Sequence, residues 1–110
     1  MKILIADKVH PSAISGLENL GHEVTLNPAC TSNELHKYLT GVEVLVVRST
    51  RVVAETISKA NSLELIIRAG AGTDTIDVEA ASSQGIYVCN IPGKNAVAVA
   101  ELTFGLLLAI

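Results

Sequence analysis

Short apolar runs alternate along the chain with segments whose apolar residues recur at helical spacing. Five runs predict buried strands, at residues 2–6, 23–26, 43–47, 63–67 and 86–89. Helical patterns cover residues 11–20, 31–40, 53–60 and 77–84, and another begins at Asn95. Strands that alternate with helices are typical of a parallel sheet with right-handed crossovers. The pattern therefore predicts an α/β fold, a flavodoxin-like five-stranded parallel sheet of order 2-1-3-4-5 with helices on both faces.

The composition favours an ordinary intracellular domain. Hydrophobic residues make up 49% of the chain and aromatic residues only 3%, an aliphatic bias that suits a parallel sheet covered on both faces. A net charge of −3 without any basic block disfavours nucleic-acid binding. Cys30 and Cys89 are too few for a disulfide framework, and the amino terminus lacks a secretory signal, so we expect a cytoplasmic protein.

The last part of the chain requires a separate interpretation. Residues 96–110 contain a single charged residue, Glu101, but a membrane span needs about 20 apolar residues, so we expect no span. No glycine, proline or basic last turn closes the pattern, and we expect the chain to stop inside a helix. A helix that is apolar on all sides belongs in an interior. We therefore divide the chain into a domain of residues 1–94 and the start of an interdomain or dimerisation helix at residues 95–110.

Polar residues and glycines follow the predicted strands. Arg48 and Ser49 follow the third strand, residues 68–72 follow the fourth, and Asn90 and Asn95 follow the fifth. Because the carboxyl ends of parallel strands meet at one edge of the sheet, we expect these residues to lie close together. Arginine binds carboxylate or phosphate with two parallel hydrogen bonds, and glycine main-chain N–H groups bind anions. The edge is a candidate anion site; alternatively, one arginine is structural and pairs with Asp74, Asp77 or Glu101.

Other chemistries are disfavoured by spacing. A dinucleotide fingerprint requires G-x-G-x-x-G, but after Gly70 and Gly72 the third place is occupied by Thr75. The three histidines, His10, His22 and His36, are spaced neither for a metal site nor for an acid-base pair, and we expect them at the surface. We interpret Cys89 as a core residue. The spacing thus predicts no metal, no independent dinucleotide site and no catalytic histidine.

Several motifs together resemble a known family. They are Arg48-Ser49-Thr50, the run from Arg68 to Asp74 followed by Ile76-Asp77, the stretch from Gly85 to Pro92, and Asn95 with Ala100-Glu101. The combination resembles the substrate-binding domain of D-2-hydroxyacid dehydrogenases, and within them the phosphoglycerate dehydrogenase branch, which acts on 3-phosphoglycerate.

The resemblance implies a two-domain oxidoreductase. Its substrate domain would close over NAD held mainly by a separate Rossmann domain, which is missing from this chain, and the enzyme would oxidise 3-phosphoglycerate to 3-phosphohydroxypyruvate for serine biosynthesis. By the resemblance, the residues that face the substrate are Arg48, Ser49, Arg68, Ala69, Gly70 and Asn95, while the main chain of Ala71 and Gly72 lies on the nicotinamide side. The family's catalytic arginine, glutamate and histidine have no counterpart in this chain, and family members are dimers.

Three alternatives remain open at this point. Ala71 stands where the nearest members often carry threonine, so a substrate such as glyoxylate, hydroxypyruvate, lactate or formate is possible within the family. A signalling receiver domain shares the sheet order, but it requires an aspartate and a lysine where Arg48 and Asn90 stand. A non-catalytic ligand-binding or interaction module would expose the apolar face of residues 96–110.

Overall fold

The computed structural model describes residues 2–6, 11–19, 21–27, 31–48, 50–69 and 75–91. The elements in chain order are β1 (Lys2–Ile5), α1 (Pro11–Asn19), β2 (Glu23–Leu26), a 3-10 helix (Leu35–Tyr38), β3 (Val44–Val47), α2 (Ala54–Ser58), β4 (Leu65–Ala69), α3 (Val78–Ser83) and β5 (Tyr87–Ile91). The strands form one sheet of order β2-β1-β3-β4-β5, and every pairing is parallel. The predicted α/β architecture and strand order are confirmed.

The core consists of two apolar clusters, one on each face of the sheet. Side chains alternate between the faces along β1, β3 and β4, so both faces of these central strands are buried. Leu4, Leu45 and Ile66 pack on one face against residues from the 3-10 helix, α2 and α3, namely Leu35, Ile57 and Ala81. Ile3, Val44 and Leu65 face the other side, where Ile14 of α1 packs against them. Helices on both faces are thereby confirmed.

The two last strands extend further toward the carboxyl edge than predicted. β4 begins at Leu65 and continues through Ala69, and β5 continues through Ile91. Arg68 and Asn90 therefore lie inside strands, and the prediction that they follow the strands was wrong. Arg68 is opposite Val47 in β3 and Asn90 in β5, so pairing with both neighbours prolongs β4 beyond its apolar run.

The helix predicted at residues 31–40 is only a single 3-10 turn. Leu35 and Leu39 are buried as predicted, but the N-cap residue of the turn is Glu34, whose side chain makes no capping hydrogen bond. Instead the Glu34 N–H donates to the Thr31 carbonyl at 3.0 Å. This turn occupies the residues that were expected to begin an α-helix.

Helix α3 begins and ends as the sequence predicts. Asp77 is its N-cap, and its Oδ1 accepts a hydrogen bond from the Ala80 N–H at 3.0 Å. Gly85 follows the helix with a φ of +74°, a left-handed conformation that a residue with a Cβ rarely adopts. The helix predicted from residue 95 lies outside the described residues, so the proposed division at residues 94 and 95 stays a prediction.

Candidate functional site

Arg48, Arg68 and Asn90 lie at the carboxyl edge of three neighbouring strands. Arg48 follows β3 directly and is exposed, whereas Arg68 is half-buried near the end of β4. Val47, Arg68 and Asn90 are paired across β3, β4 and β5. Adjacent parallel strands lie about 4.8 Å apart, so the main chains that carry the two arginines are close neighbours. The predicted convergence of these polar residues on one edge agrees with the observed register.

Thr75 holds Arg68 through its side chain. The Arg68 Nε donates a hydrogen bond to the Thr75 Oγ1 at 3.2 Å, and the contact is partly buried. A hydroxyl is uncharged, so this contact orients the guanidinium without neutralising it. Among the acids considered as structural partners of an arginine, Asp77 instead uses its Oδ1 to cap α3.

The segments that leave β3 and β4 are joined a second time beyond the sheet. Val52 and Ile76 form an isolated parallel bridge, in which the Val52 N–H donates to the Thr75 carbonyl at 2.8 Å and the Asp77 N–H donates to the Val52 carbonyl at 2.9 Å. Both Val52 and Ile76 are buried in the core. The two segments are therefore paired at two places, at the ends of β3 and β4 and again at the bridge between Val52 and Ile76.

The segment after Arg48 has a further brace. The Ser32 hydroxyl donates a hydrogen bond to the Arg51 carbonyl at 2.9 Å. This bond ties the loop between β2 and β3 to the segment that follows β3. Arg51 is exposed and adds a third cationic side chain to this part of the molecule. The edge thus carries Arg48 and Arg68, with Arg51 three residues after Arg48 in sequence, an arrangement suited to an anionic ligand.

Several predicted site residues cannot be placed. Ser49, Gly70, Ala71, Gly72 and Asn95 lie outside the described residues. The main chain of Ala69 belongs to β4, where it is opposite Ile91. The described part of the predicted site therefore consists of Arg48, Arg68 and the backbone of Ala69.

Two other titratable candidates, His22 and Cys89, are half-buried. His22 directly precedes β2, at the amino-terminal edge, and it is half-buried rather than a plain surface residue. Burial lowers the pKa of His22, and nearby Glu43 opposes the shift. Cys89 is half-buried beside one apolar cluster, where burial raises the pKa of its thiol, so it is a peripheral rather than a central core residue. Neither group is a poised acid or base at the arginine edge.

Two properties of the described ranges bear on other site types. Within residues 2–6, 11–19, 21–27, 31–48, 50–69 and 75–91, no group of three or more His, Cys, Asp or Glu side chains could hold a metal ion. In the same part of the chain, none of the helices has both the length and the apolar character that crossing a membrane requires.

Sequence reasoning missed the role of Thr75 in this site. The sequence places a hydroxyl seven residues after Arg68, beyond two glycines. That spacing is neither the period of a helix nor that of a strand, so no periodic signal indicates the contact. A turn after Gly72 would have been the only available indication.

Comparison with known proteins adds an independent finding. Residues 3–105 match the family profile described as D-isomer specific 2-hydroxyacid dehydrogenase, catalytic domain. A D-3-phosphoglycerate dehydrogenase from Methanocaldococcus jannaschii is 48% identical over 110 residues, which cover 99% of this chain and 21% of the relative. A hydroxypyruvate reductase from Thermotoga maritima is 51% identical over 78 residues, 70% of this chain and 26% of the relative.

A solved structure has the same architecture. The cofactor(NAD+)-bound 3-phosphoglycerate dehydrogenase of Entamoeba histolytica superposes with a TM-score of 0.75 at 32% sequence identity, over 97% of this chain and 38% of that one. The present chain spans about one fifth of the length of the curated relatives that it matches over its whole length.

Proposed function

We propose that this chain, which belongs to the D-isomer specific 2-hydroxyacid dehydrogenase family, forms the substrate-binding part of an NAD-dependent enzyme that oxidises 3-phosphoglycerate. The product would be 3-phosphohydroxypyruvate, a precursor for serine. The observation that carries the proposal is the presence of Arg48 and Arg68 at the carboxyl ends of neighbouring strands, with Arg51 close by in sequence. A phosphorylated hydroxy acid has two anionic groups, and arginine is well suited to both.

The residues of this chain would bind and orient the acid. Arg48 and Arg68 are the candidate ligands for its carboxylate and phosphate, and Ser49, Gly70 and Asn95 would add hydrogen-bond donors. Ala69 contributes main chain from the end of β4. The main chain of Ala71 and Gly72 would lie on the side of the nicotinamide. Fixing both ends of a small acid restricts its rotation and aligns the carbon that bears the hydroxyl group.

The dinucleotide would be held mainly by a separate domain. Thr75 occupies the third position of the glycine fingerprint, so the described edge fits the anionic groups of a small acid rather than the pyrophosphate of NAD. When bound, NAD supplies the hydride acceptor for oxidation of the hydroxyl carbon. The acid-base group would also come from outside this chain, because among the described residues His22 lies at the opposite edge of the sheet.

The wider setting is part of the same proposal. We infer a cytoplasmic enzyme that acts on a small molecule and associates as a homo-dimer or higher oligomer, with neither nucleic acid nor membrane as a partner. A net charge of −3 with no basic block supports the absence of nucleic acid, and the apolar residues 96–110 support association.

A second substrate within the family is favoured by one specific observation. The hydroxypyruvate reductase of Thermotoga maritima matches 70% of this chain at 51% identity. An unphosphorylated acid such as hydroxypyruvate or glyoxylate would use one arginine for its carboxylate. The proposal of a phosphorylated substrate rests on the second arginine at the edge, with Arg51 close by in sequence.

The substrate is tested with the complete polypeptide to which this chain belongs. The kcat/KM values for oxidation of 3-phosphoglycerate, glycerate and lactate with NAD are compared with those for reduction of hydroxypyruvate and glyoxylate with NADH. We expect 3-phosphoglycerate to exceed glycerate by about tenfold or more, the effect of one charge-assisted hydrogen-bond pair. A preference for the unphosphorylated acids would transfer the function to the second candidate, and failure to turn over any 2-hydroxy acid would overturn both.

A further inference from the structure

The peptide unit that joins Arg51 to Val52 is held from both sides. Its carbonyl, on Arg51, accepts a hydrogen bond from the Ser32 hydroxyl at 2.9 Å. Its N–H, on Val52, donates to the Thr75 carbonyl at 2.8 Å. A trans peptide unit is planar and its C=O and N–H point in opposite directions, so these two bonds fix the orientation of the whole plane. Three segments that are distant in sequence therefore meet at one peptide unit, shortly after Arg48.

Both partners of this peptide unit are anchored in the core. Ser32 lies in a turn three residues before Leu35, which begins the 3-10 helix and is 0% exposed. On the other side, Thr75 directly precedes Ile76, which is buried as well. The hydroxyl of Ser32 is thus presented by a firmly held part of the main chain, as is required of a group that orients another segment.

We propose that Ser32 is a positioning residue for substrate binding, which acts on Arg48 through the peptide unit between Arg51 and Val52. Arg48 stands three residues before Arg51 and directly after Val47, the last residue of β3. Three residues of chain span at most about 11 Å, so the orientation of this peptide unit restricts the path of the chain that leaves Arg48. The inference rests on the proposed function, in which Arg48 is a candidate ligand of the substrate.

The hydrogen bond from Ser32 contributes order rather than burial. The contact is exposed, so water can bind the Arg51 carbonyl after loss of the hydroxyl, and no buried polar group is left without a partner. The bond to Thr75 would then hold the peptide unit from one side only. The main chain before Val52 would gain conformations that have to be given up again when the substrate binds, which weakens binding and leaves the reaction step unchanged.

The test uses two substitutions at position 32 in the complete enzyme. Ser32→Ala removes only the hydroxyl, and Ser32→Thr keeps a hydroxyl on a side chain of similar size. Ser58→Ala is the matched control, since it removes a hydroxyl that donates to the Glu55 carbonyl at 2.7 Å on α2, an exposed hydrogen bond within the helix. Each variant is measured for KM, kcat, melting temperature and amide hydrogen exchange at Val52. Ser32→Ala is also combined with Arg48→Ala in a double-mutant cycle.

We expect Ser32→Ala to raise the KM for 3-phosphoglycerate by about fivefold, with kcat changed by less than about twofold. Exchange of the Val52 N–H should accelerate in the same variant. Ser32→Thr should keep most of the affinity, and Ser58→Ala should change neither KM nor exchange. In the Arg48→Ala background, Ser32→Ala should change KM by less than about twofold, because the residue through which it acts is gone.

The outcomes separate this inference from the proposed function. Wild-type turnover of 3-phosphoglycerate, with an unchanged KM or unchanged Val52 exchange in Ser32→Ala, would overturn the role of Ser32 and leave the function intact. An equal rise in KM with and without Arg48, a rise that Ser32→Thr shares, or failure of Ser32→Ala to fold would mark a merely structural residue and also overturn that role. An enzyme that prefers another 2-hydroxy acid, and shows the coupled KM effect with it, would support the role of Ser32 and overturn the phosphorylated substrate.

Discussion

Arg68 lies directly opposite Asn90 in the parallel pairing of β4 with β5. On its other side it lies opposite Val47, and Arg48 comes one residue later. With strands about 4.8 Å apart and a rise of about 3.3 Å per residue, the Cα atoms of Arg48 and Arg68 are about 6 Å apart. The main chains of the two arginines are therefore close neighbours at this edge, and Thr75 accepts a hydrogen bond from the Arg68 side chain.

Removal of Arg48 should weaken substrate binding more than it slows the reaction. In the complete enzyme, Arg48→Ala is expected to raise the KM for 3-phosphoglycerate by about tenfold or more, because anion binding is largely equal in the ground and transition states. Steady-state kinetics provide the measurement. Lys59→Ala is the control, since it removes an exposed cation that pairs with Glu55 on α2. An unchanged KM in Arg48→Ala would remove Arg48 from the site.

The isolated 110-residue chain should not reduce NAD with 3-phosphoglycerate. It lacks a complete dinucleotide fingerprint, and its half-buried His22 lies at the opposite edge of the sheet. NADH formation is measured beside the complete enzyme at equal concentration. Turnover by the chain alone would show that catalytic residues had been assigned to the wrong part of the protein.

Loss of the Asp77 cap should destabilise the domain modestly. Asp77→Ala removes the acceptor of the Ala80 N–H, and is expected to lower the free energy of unfolding by about 0.5–2 kcal/mol. Asp77→Asn keeps an oxygen in the same place and should lose much less. Urea denaturation of both variants gives the comparison, and equal stability of Asp77→Ala and wild type would contradict a capping role.

His22 should make the domain less stable as the pH falls. Burial lowers its folded-state pKa below the ordinary value of 6.5, so the unfolded chain binds the proton more readily between the two values. The contribution of His22 to the free energy of unfolding is therefore fully present above pH 6.5 and declines as the pH falls toward the folded pKa. Below the folded pKa, protonation of His22 changes the free energy of unfolding no further. Denaturation of His22→Gln across this range should show a weaker pH dependence than wild type, and identical slopes would refute the contribution.

Residues 96–110 should drive self-association. Burial of one leucine stabilises by about 1.5–3 kcal/mol, and this segment carries several on more than one side of a helical pattern. The double substitution Leu106→Lys with Leu107→Lys is expected to shift the protein to monomer in sedimentation. Val78→Lys, at an exposed position of α3, is the matched control and should leave the assembly unchanged. A wild-type monomer would contradict the interface.

Apolar patterning was sufficient to predict the sheet but not the ends of its strands. The runs at residues 23–26 and 43–47 agree with β2 and β3 to within one residue. β4 was predicted two residues too early, because Arg68 interrupts the apolar run although its main chain still pairs on both sides. Strand ends depend on the neighbouring strand, and a single sequence does not specify that neighbour.

Only part of the candidate site was predictable from the sequence. Arg48 and Arg68 were identified because a rule about parallel strands connects sequence position to one edge of the sheet. The hydrogen bond from Arg68 to Thr75 and the bridge between Val52 and Ile76 follow from the path of the chain between elements. No periodicity describes that path, so these contacts required three-dimensional coordinates.

The strand order has a consequence for how the protein is made. β2 pairs with β1, β3 joins the other side of β1, β4 joins β3, and β5 joins β4. Every strand after the first thus emerges from the ribosome when its neighbour has already been synthesised. β3, β4 and β5 are added in turn on one side of β1, so β2 and β5 are the outermost strands, and Tyr87 of β5 is 61% exposed. The sheet can therefore be built from its amino-terminal strands outward, and none of the five described strands has to wait for a partner that has yet to be translated.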